Sequence, residues 1–281
     1  MGFRRRFSCG GTSRMADQLN LELESVFQID HHEKGLREPS GLAMSSDGTL
    51  WLVGDRKRFL FRIDQTGNIL QRLRVGNRGL EGIAIGPSGN LWAVDENSAK
   101  ILQYDSSNGD ELSDYRLEEL EGFELIAEGF KRHANKGLEG IAFDPQRDEW
   151  LLLKEDHPAL LIAVNSGFTR IESVDDLNEE VGFQHESESV DLSGICHDPS
   201  RDLFWIVSHE AARVFGYSRK TRRVTLRFDL DSDNGKRVRQ AEGVAIDPSG
   251  KRLFVVGDRD EKLFVYQLTE VHSLHRRTHL Q

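Results

Sequence analysis

A chain of 281 residues, 37% hydrophobic and 30% charged, carries enough apolar material for one large core and holds no apolar run near the length of a membrane span. Its 47 acidic residues against 37 Lys and Arg leave a net charge of −10. That balance argues against general nucleic-acid binding, which needs a basic phosphate-facing surface, and toward cations or basic partners. Two cysteines, Cys9 and Cys196, form no CxxC pair and no disulfide framework, and Cys196 reads as a buried free thiol.

In chain order, residues 1–18 (MGFRRRFSCGGTSRMADQ) read as a disordered leader with a basic start and without the apolar middle of a signal peptide. Translation from Met15 would shorten it, and RRRFS ahead of Cys9 lacks the apolar stretch that a lipid-anchored route needs. Cytoplasmic placement is the expectation from these residues alone. Next comes LELESVFQID from Leu21, which alternates as a strand does. Residues 19–269 are expected to form one domain, with a polar tail at 270–281.

Within that domain a short segment recurs five times: PSGLA from Pro39, LEGIA from Leu80, LEGIA from Leu138, LSGIC from Leu192 and AEGVA from Ala241. Each copy leads into a turn (SSDG, GPSG, DPQRD, DPSRD, DPSG) and then a hydrophobic strand with a polar end: WLVGDR, WAVDEN, LLLKED, WIVSHE, FVVGDR. Short Val, Ile, Phe and Trp runs between Gly, Asn and Asp-Pro turns predict an all-β chain. Spacings of 41, 58, 54 and 49 residues between copies match the four-stranded blades of a β-propeller. The last unit supplies three strands, so LELESVFQID is expected to complete it and close the ring, which removes an exposed edge. Five blades result, or six if the insert from Leu117 to Lys136 hides a degenerate blade; the alternative for that insert is a short helix over one face.

Aligning the units produces two polar columns. The second motif position reads Ser40, Glu81, Glu139, Ser193, Glu242; the position 15 or 16 residues on reads Asp55, Glu96, Glu155, His209, Asp258. The start of one strand and the end of its antiparallel neighbour share a sheet edge, so both columns surround the same channel opening. The seven carboxylates Glu81, Glu139, Glu242, Asp55, Glu96, Glu155 and Asp258 would converge there, raising one another's pKa or requiring a cation. Oxygen-rich, sulfur-free surroundings suit Ca²⁺ or Mg²⁺ better than Zn²⁺. Three readings stay open: salt bridging by Arg56, Lys154 and Arg259, a bound divalent cation, and a catalytic cluster. Ser193 and His209, with Glu210 adjacent, also make a nucleophile and base pair conceivable, although no GxSxG elbow accompanies them and a Ser to His hydrogen bond within a blade is the commoner arrangement. His185, in QHESES, sits in an acidic loop, and His272, His275 and His279 in the tail have no acidic partners nearby in sequence. RKTRR from Arg219 and KRVR from Lys236 read as edge protection.

The segments NKGLEGIAFDPQRDEWLLLKEDHPALL, DLSGICHDPSRDLFWIVSHEAARVFGY and QAEGVAIDPSGKRLFVVGDRDEKLFVYQL resemble the SdiA-regulated (YjiK/CarP-like) β-propeller family, from roughly Leu21 to Leu268. The resemblance implies a five-bladed propeller, usually of the bacterial envelope, linked in some members to calcium regulation and with no established reaction. Members commonly carry an N-terminal anchor or export signal; none is legible here, which leaves periplasm or envelope as the family-based alternative to cytoplasm. A more distant likeness, in the Glu-Gly strand starts, points to gluconolactonase, paraoxonase and phytase-esterase type propellers, where mouth carboxylates hold a Ca²⁺ that polarises a lactone or phosphate oxygen. Their asparagine ligands are not evident here apart from Asn97. The expectation is therefore a calcium-binding propeller with a small-molecule or protein ligand at the channel mouth. A metal-dependent hydrolase of lactones or phosphate esters, with His209 or a spare carboxylate as base, and a metal-free scaffold are the alternatives.

Overall fold

The computed structural model describes residues 18–29, 32–54, 58–77, 79–131, 137–155, 158–177, 181–183 and 191–271. The leader before residue 18, Asp55, Arg56, His185 and the tail histidines lie outside them. Among the described residues there are twenty strands, starting with β1 (Gln18–Gln28). Blade one is β2 (Pro39–Met44), β3 (Leu50–Gly54), β4 (Phe59–Ile63) and β5 (Ile69–Arg74). Blade two is β6 (Leu80–Ile85), β7 (Leu91–Asp95), β8 (Lys100–Tyr104) and β9 (Glu111–Arg116). Blade three is β10 (Leu138–Asp144), β11 (Glu149–Lys154), β12 (Leu160–Asn165) and β13 (Ile171–Asp176). Blade four is β14 (Leu192–Asp198), β15 (Leu203–Ser208), β16 (Arg213–Ser218) and β17 (Arg223–Asp229). Blade five takes β18 (Ala241–Ile246), β19 (Arg252–Gly257) and β20 (Lys262–Val271), with β1 as its outer strand.

Every sheet is antiparallel and ordered from the channel outwards. The innermost strands β2, β6, β10, β14 and β18 each touch the next, and β18 returns to β2. Closure rests on β1, which pairs antiparallel with β20 from Gln18 opposite Val271 to Gln28 opposite Lys262. The ring therefore has five blades, and no sixth arises among the described residues of the long insert. There Leu117–Glu119 and Phe123–Leu125 are single 3₁₀ turns and α1 (Ala127–Lys131) is a short helix. Leu117, Leu120 and Ile126 bury against Trp92 and Trp150, wedging the insert between blades two and three.

Strand alternation builds the core. In β3, Leu50 and Leu52 face blade five while Trp51 and Val53 face blade two; in β11, Trp150 and Leu152 face blade two while Leu151 and Leu153 face blade four. Because both faces of each blade are covered, these strands are hydrophobic throughout rather than alternating with polar residues. Five apolar clusters result, one per blade interface. The turns between first and second strands hold buried acids. Asp198 accepts from the Ser200 N–H at 3.0 Å, from Arg201 Nη1 at 2.9 Å and from Trp205 Nε1 at 3.1 Å. The basic stretches are likewise consumed in ion pairs: Arg219 reaches Glu149 at 2.5 Å, Arg237 reaches Asp229 at 2.6 Å.

Candidate functional site

The recurring motif has a steric cause. In every blade the register between the innermost strand and its neighbour slips within it, between Pro39 and Leu42, Leu80 and Ile83, Leu138 and Gly140, Leu192 and Gly194, and Ala241 and Gly243. Glu139, Ser193 and Glu242 are the extra residues of β-bulges, devices that re-aim a side chain out of the ladder. The glycine that follows permits backbone to meet backbone between blades. A Cβ on Gly41 would stand 2.4 Å from the Glu81 carbonyl oxygen, one on Gly82 2.7 Å from Gly140 Cα, one on Gly194 2.3 Å from the Glu242 carbonyl oxygen, and one on Gly243 2.6 Å from that of Ser40. On Gly140, which completes the circle, a Cβ would meet the Ile195 side-chain Cγ2 at 2.8 Å and its backbone nitrogen at 3.3 Å. These five glycines leave a void of only about 10 Å³ on the channel axis, room for a single water. The channel is thus divided in two.

On one side of that constriction both polar columns meet. The backbone N–H of Glu96 donates to the Gly79 carbonyl at 3.4 Å, that of Glu155 to Gly137 at 3.3 Å, that of His209 to Asp191 at 3.0 Å and that of Asp258 to Gln240 at 2.8 Å. Each acceptor is the residue just before the motif, so one repeated bond places the second column beside the first in four blades. A Cβ on Gly137 would fall 2.1 Å from the Glu96 carbonyl oxygen, which is why glycine precedes Leu138.

Within the mouth, Glu96, Glu139 and Glu155 bring carboxylate oxygens within 4.8 Å of one another. Glu139 is the centre of the group. Burial, and then the negative charges of Glu81, Glu155, Glu96 and Glu242, hold its carboxyl well above the ordinary glutamate value of 4.5. Five of the expected seven carboxylates are thereby brought together; Asp258 occupies the equivalent place in blade five, and Asp55 is outside the described residues. Lys154 is fully buried at the end of β11, its Nζ 3.3 Å from the Pro158 carbonyl oxygen and 5.5 Å from the centre of the Phe130 ring.

His209 forms a second cluster. Its Nδ1 lies 3.3 Å from Glu242 Oε1 and 3.9 Å from Asp191 Oδ2, and ligand atoms of Asp191, His209 and Glu210 fit within 4.8 Å. Ser193 is turned away from this cluster, and its hydroxyl donates to the Ala241 carbonyl at 2.6 Å, tying blade four to blade five. With that proton committed, it has none to give His209. Ser40 is similarly turned to backbone, the Glu38 carbonyl at 3.3 Å. Asp191 is a site residue that the aligned columns missed; it sits one place ahead of them, and its signal was an acid where blades two and three have glycine. Cys196 is a free thiol on β14, its pKa pushed well up by burial.

Fold and mouth together define a closed five-bladed β-propeller with an acidic opening around one half-buried glutamate. The chain belongs to the SdiA-regulated family, whose model matches residues 21–267. No curated protein matches the sequence. Among solved structures, the glutaminyl cyclase of Myxococcus xanthus is similar at 13% identity and a TM-score of 0.63, with 90% of this chain and 97% of that one covered. The PQQ-bound aldose sugar dehydrogenase of Streptomyces coelicolor is similar at 13% identity and a TM-score of 0.54, with 90% and 99% covered. At such identities the likeness is one of fold. No helix among the described residues is long and apolar enough to cross a membrane.

Proposed function

We propose that this protein is a divalent-cation-binding propeller, with calcium as its ion, in which Glu96, Glu139 and Glu155 supply the central ligands and Glu81 and Glu242 the surrounding charge. The observation that carries this is the convergence of five carboxylates on Glu139 without a cysteine among them. The donor set fits the ion. Calcium takes six to eight oxygens at about 2.3–2.6 Å, so ligands on opposite sides of it lie about 5 Å apart, and the three carboxylates already stand within 4.8 Å. A bound cation would reverse the unfavourable like-charge field and fix the mouth for a small-molecule or protein ligand. Thermal unfolding of chelated protein titrated with Ca²⁺ and, separately, Mg²⁺ tests the reading. A saturable rise is expected for the wild type, lost when Glu139 and Glu242 are both replaced by Gln. A rise that survives in that variant would remove the assigned ligands, and no rise with either ion would favour a salt-bridged scaffold.

One observation supports a second reading, a metal-dependent hydrolase of lactones or phosphate esters. His209 is oriented by Glu242 at 3.3 Å, and Glu242 belongs to the same charge cluster as Glu139. A base held beside a cation that polarises a substrate oxygen is the arrangement such a reaction needs. If any ester or lactone is cleaved in the presence of Ca²⁺ or Mn²⁺, His209→Ala should slow it about 100-fold or more; an unchanged rate would exclude His209 as the base.

A further inference from the structure

Only blade four sets an imidazole in the second polar column, and it also carries an acid immediately ahead of the motif, Asp191, where blades two and three have Gly79 and Gly137. The bond from the His209 N–H to the Asp191 carbonyl, 3.0 Å, holds the two backbones side by side, and Glu210 follows on the turn out of β15. Asp191, His209 and Glu210 bring two carboxylate oxygens and a ring nitrogen within 4.8 Å of one another. Asp191 is only 6% exposed, His209 is half-buried and Glu210 is exposed, so the group is anchored in the interior and open to solvent on one side.

The spacing suits an ion rather than a hydrogen bond. His209 Nδ1 stands 3.9 Å from Asp191 Oδ2, too far for an N–H to donate. Two atoms bonded to one zinc ion at about 2.0–2.2 Å lie about 3.3–4 Å apart, a separation this pair already has. Glu242 Oε1, 3.3 Å from the same nitrogen, adds negative charge and joins the group to the carboxylates around Glu139. The donors differ from those of Glu96, Glu139 and Glu155, which are all carboxylates. Imidazole nitrogen favours zinc and its first-row neighbours, whereas calcium and magnesium take oxygen. We propose that Asp191, His209 and Glu210 form a second metal site in the mouth, one for Zn²⁺. The assignment stands whether or not calcium occupies the neighbouring carboxylates. Three protein ligands leave the fourth position of a tetrahedral ion open, which is the coordination of a Lewis acid rather than of a structural zinc. With His209 as a ligand, water on that ion takes the part of the base in any hydrolysis at the mouth.

Calorimetric titration of the chelator-stripped full chain with ZnCl₂, repeated with Ca²⁺ present, tests the proposal. One-to-one binding is expected in both conditions. Loss of even an orienting partner costs a metal site about 10–100-fold in affinity, so His209→Gln should weaken zinc binding about 100-fold or more and Glu210→Gln about tenfold or more, while Glu139→Gln leaves it within about threefold. Glu210 is exposed on a turn, so its replacement probes the site without disturbing the core, and circular dichroism checks the fold of the His209 variant. Co²⁺ in place of zinc should give a visible absorption band that His209→Gln removes. Absence of saturable zinc binding would overturn the site, as would binding that survives His209→Gln, an affinity unchanged in Glu210→Gln, or a loss in Glu139→Gln equal to that in His209→Gln.

Discussion

Replacing Glu139 by Gln separates a cation site from a network of salt bridges, because the two predict opposite signs. In the metal-free protein the Glu139 carboxyl has other carboxylate oxygens within 4.8 Å. At an effective dielectric of 20, two unit charges at that separation repel by about 3.5 kcal/mol. Screening by water in the open mouth and by nearby basic groups reduces this to a net of about 1–2 kcal/mol. The folded-state pKa of Glu139 is raised above 4.5, its value when unfolded, so the folded protein holds this proton more tightly. Stability is therefore lost as pH climbs from about 4.5 through the folded value, rather than gained. Gln has no proton to lose. The variant should match the wild type near pH 5 in chelator and exceed it increasingly above, by about 3–6 °C in Tm at pH 8. Calcium at 100 times its dissociation constant should raise the wild-type Tm by about 5–10 °C, corresponding to about 2.7 kcal/mol, and should have little effect on the variant. Differential scanning calorimetry across pH 5 to 8, with and without calcium, reads both. A variant less stable than wild type at pH 8 in chelator would show Glu139 to be a favourable ion-pair partner and rule out net like-charge repulsion at the mouth.

Gly82→Ala should lower stability by about 3 kcal/mol, since its Cβ would meet backbone on the next blade at 2.7 and 2.9 Å; an unchanged denaturation midpoint would contradict the backbone-to-backbone ring. Ser193→Ala should cost about 1 kcal/mol through the lost bond to Ala241 and leave calcium affinity unaltered, which calorimetry of unfolding and binding on one sample would establish. Asp229, held down to about 2 by Arg237 and Arg213, contributes stability that is present above pH 3.8 and lost as pH falls through 2. Asp229→Asn should remove about 1 kcal/mol of that acid-dependent stability, a figure reduced for its exposed setting, as acid titration followed by circular dichroism would show.

The repeat was legible because the same contact is made five times: a glycine that must admit a neighbouring backbone and a re-aimed residue before it leave one pattern per blade. The place of β1 was legible as well, from a fifth unit one strand short. The bulge itself was not, since it is defined by the partner strand, and Leu138 opposite Lys154 with Gly140 opposite Leu153 cannot be inferred from LEGIA alone. The two columns pointed to the right edge of the sheet, yet they treated five positions as equivalent. In three dimensions Glu96, Glu139 and Glu155 cluster at one side and His209 and Asp191 at another, Glu242 adjoins both, and Ser193 serves the interblade contact. Such asymmetry depends on which carboxylate is buried between which blades. The insert left two options open in the sequence, a degenerate blade or a short helix, because whether its apolar residues pair as strands or pack as single turns and α1 against Trp92 and Trp150 depends on those partners from other blades.

The pairing of β1 with β20 also sets a schedule for the chain on the ribosome. The partner of Gln18 is Val271, so the first strand to be made waits for the last. At roughly 5–20 residues per second the wait is about 12–50 s. Throughout it, β1 is unmatched and the growing arc of blades ends in an open edge that can pair with another chain. The closed ring, unlike any single blade from the second to the fourth, therefore cannot form until β20 has been made.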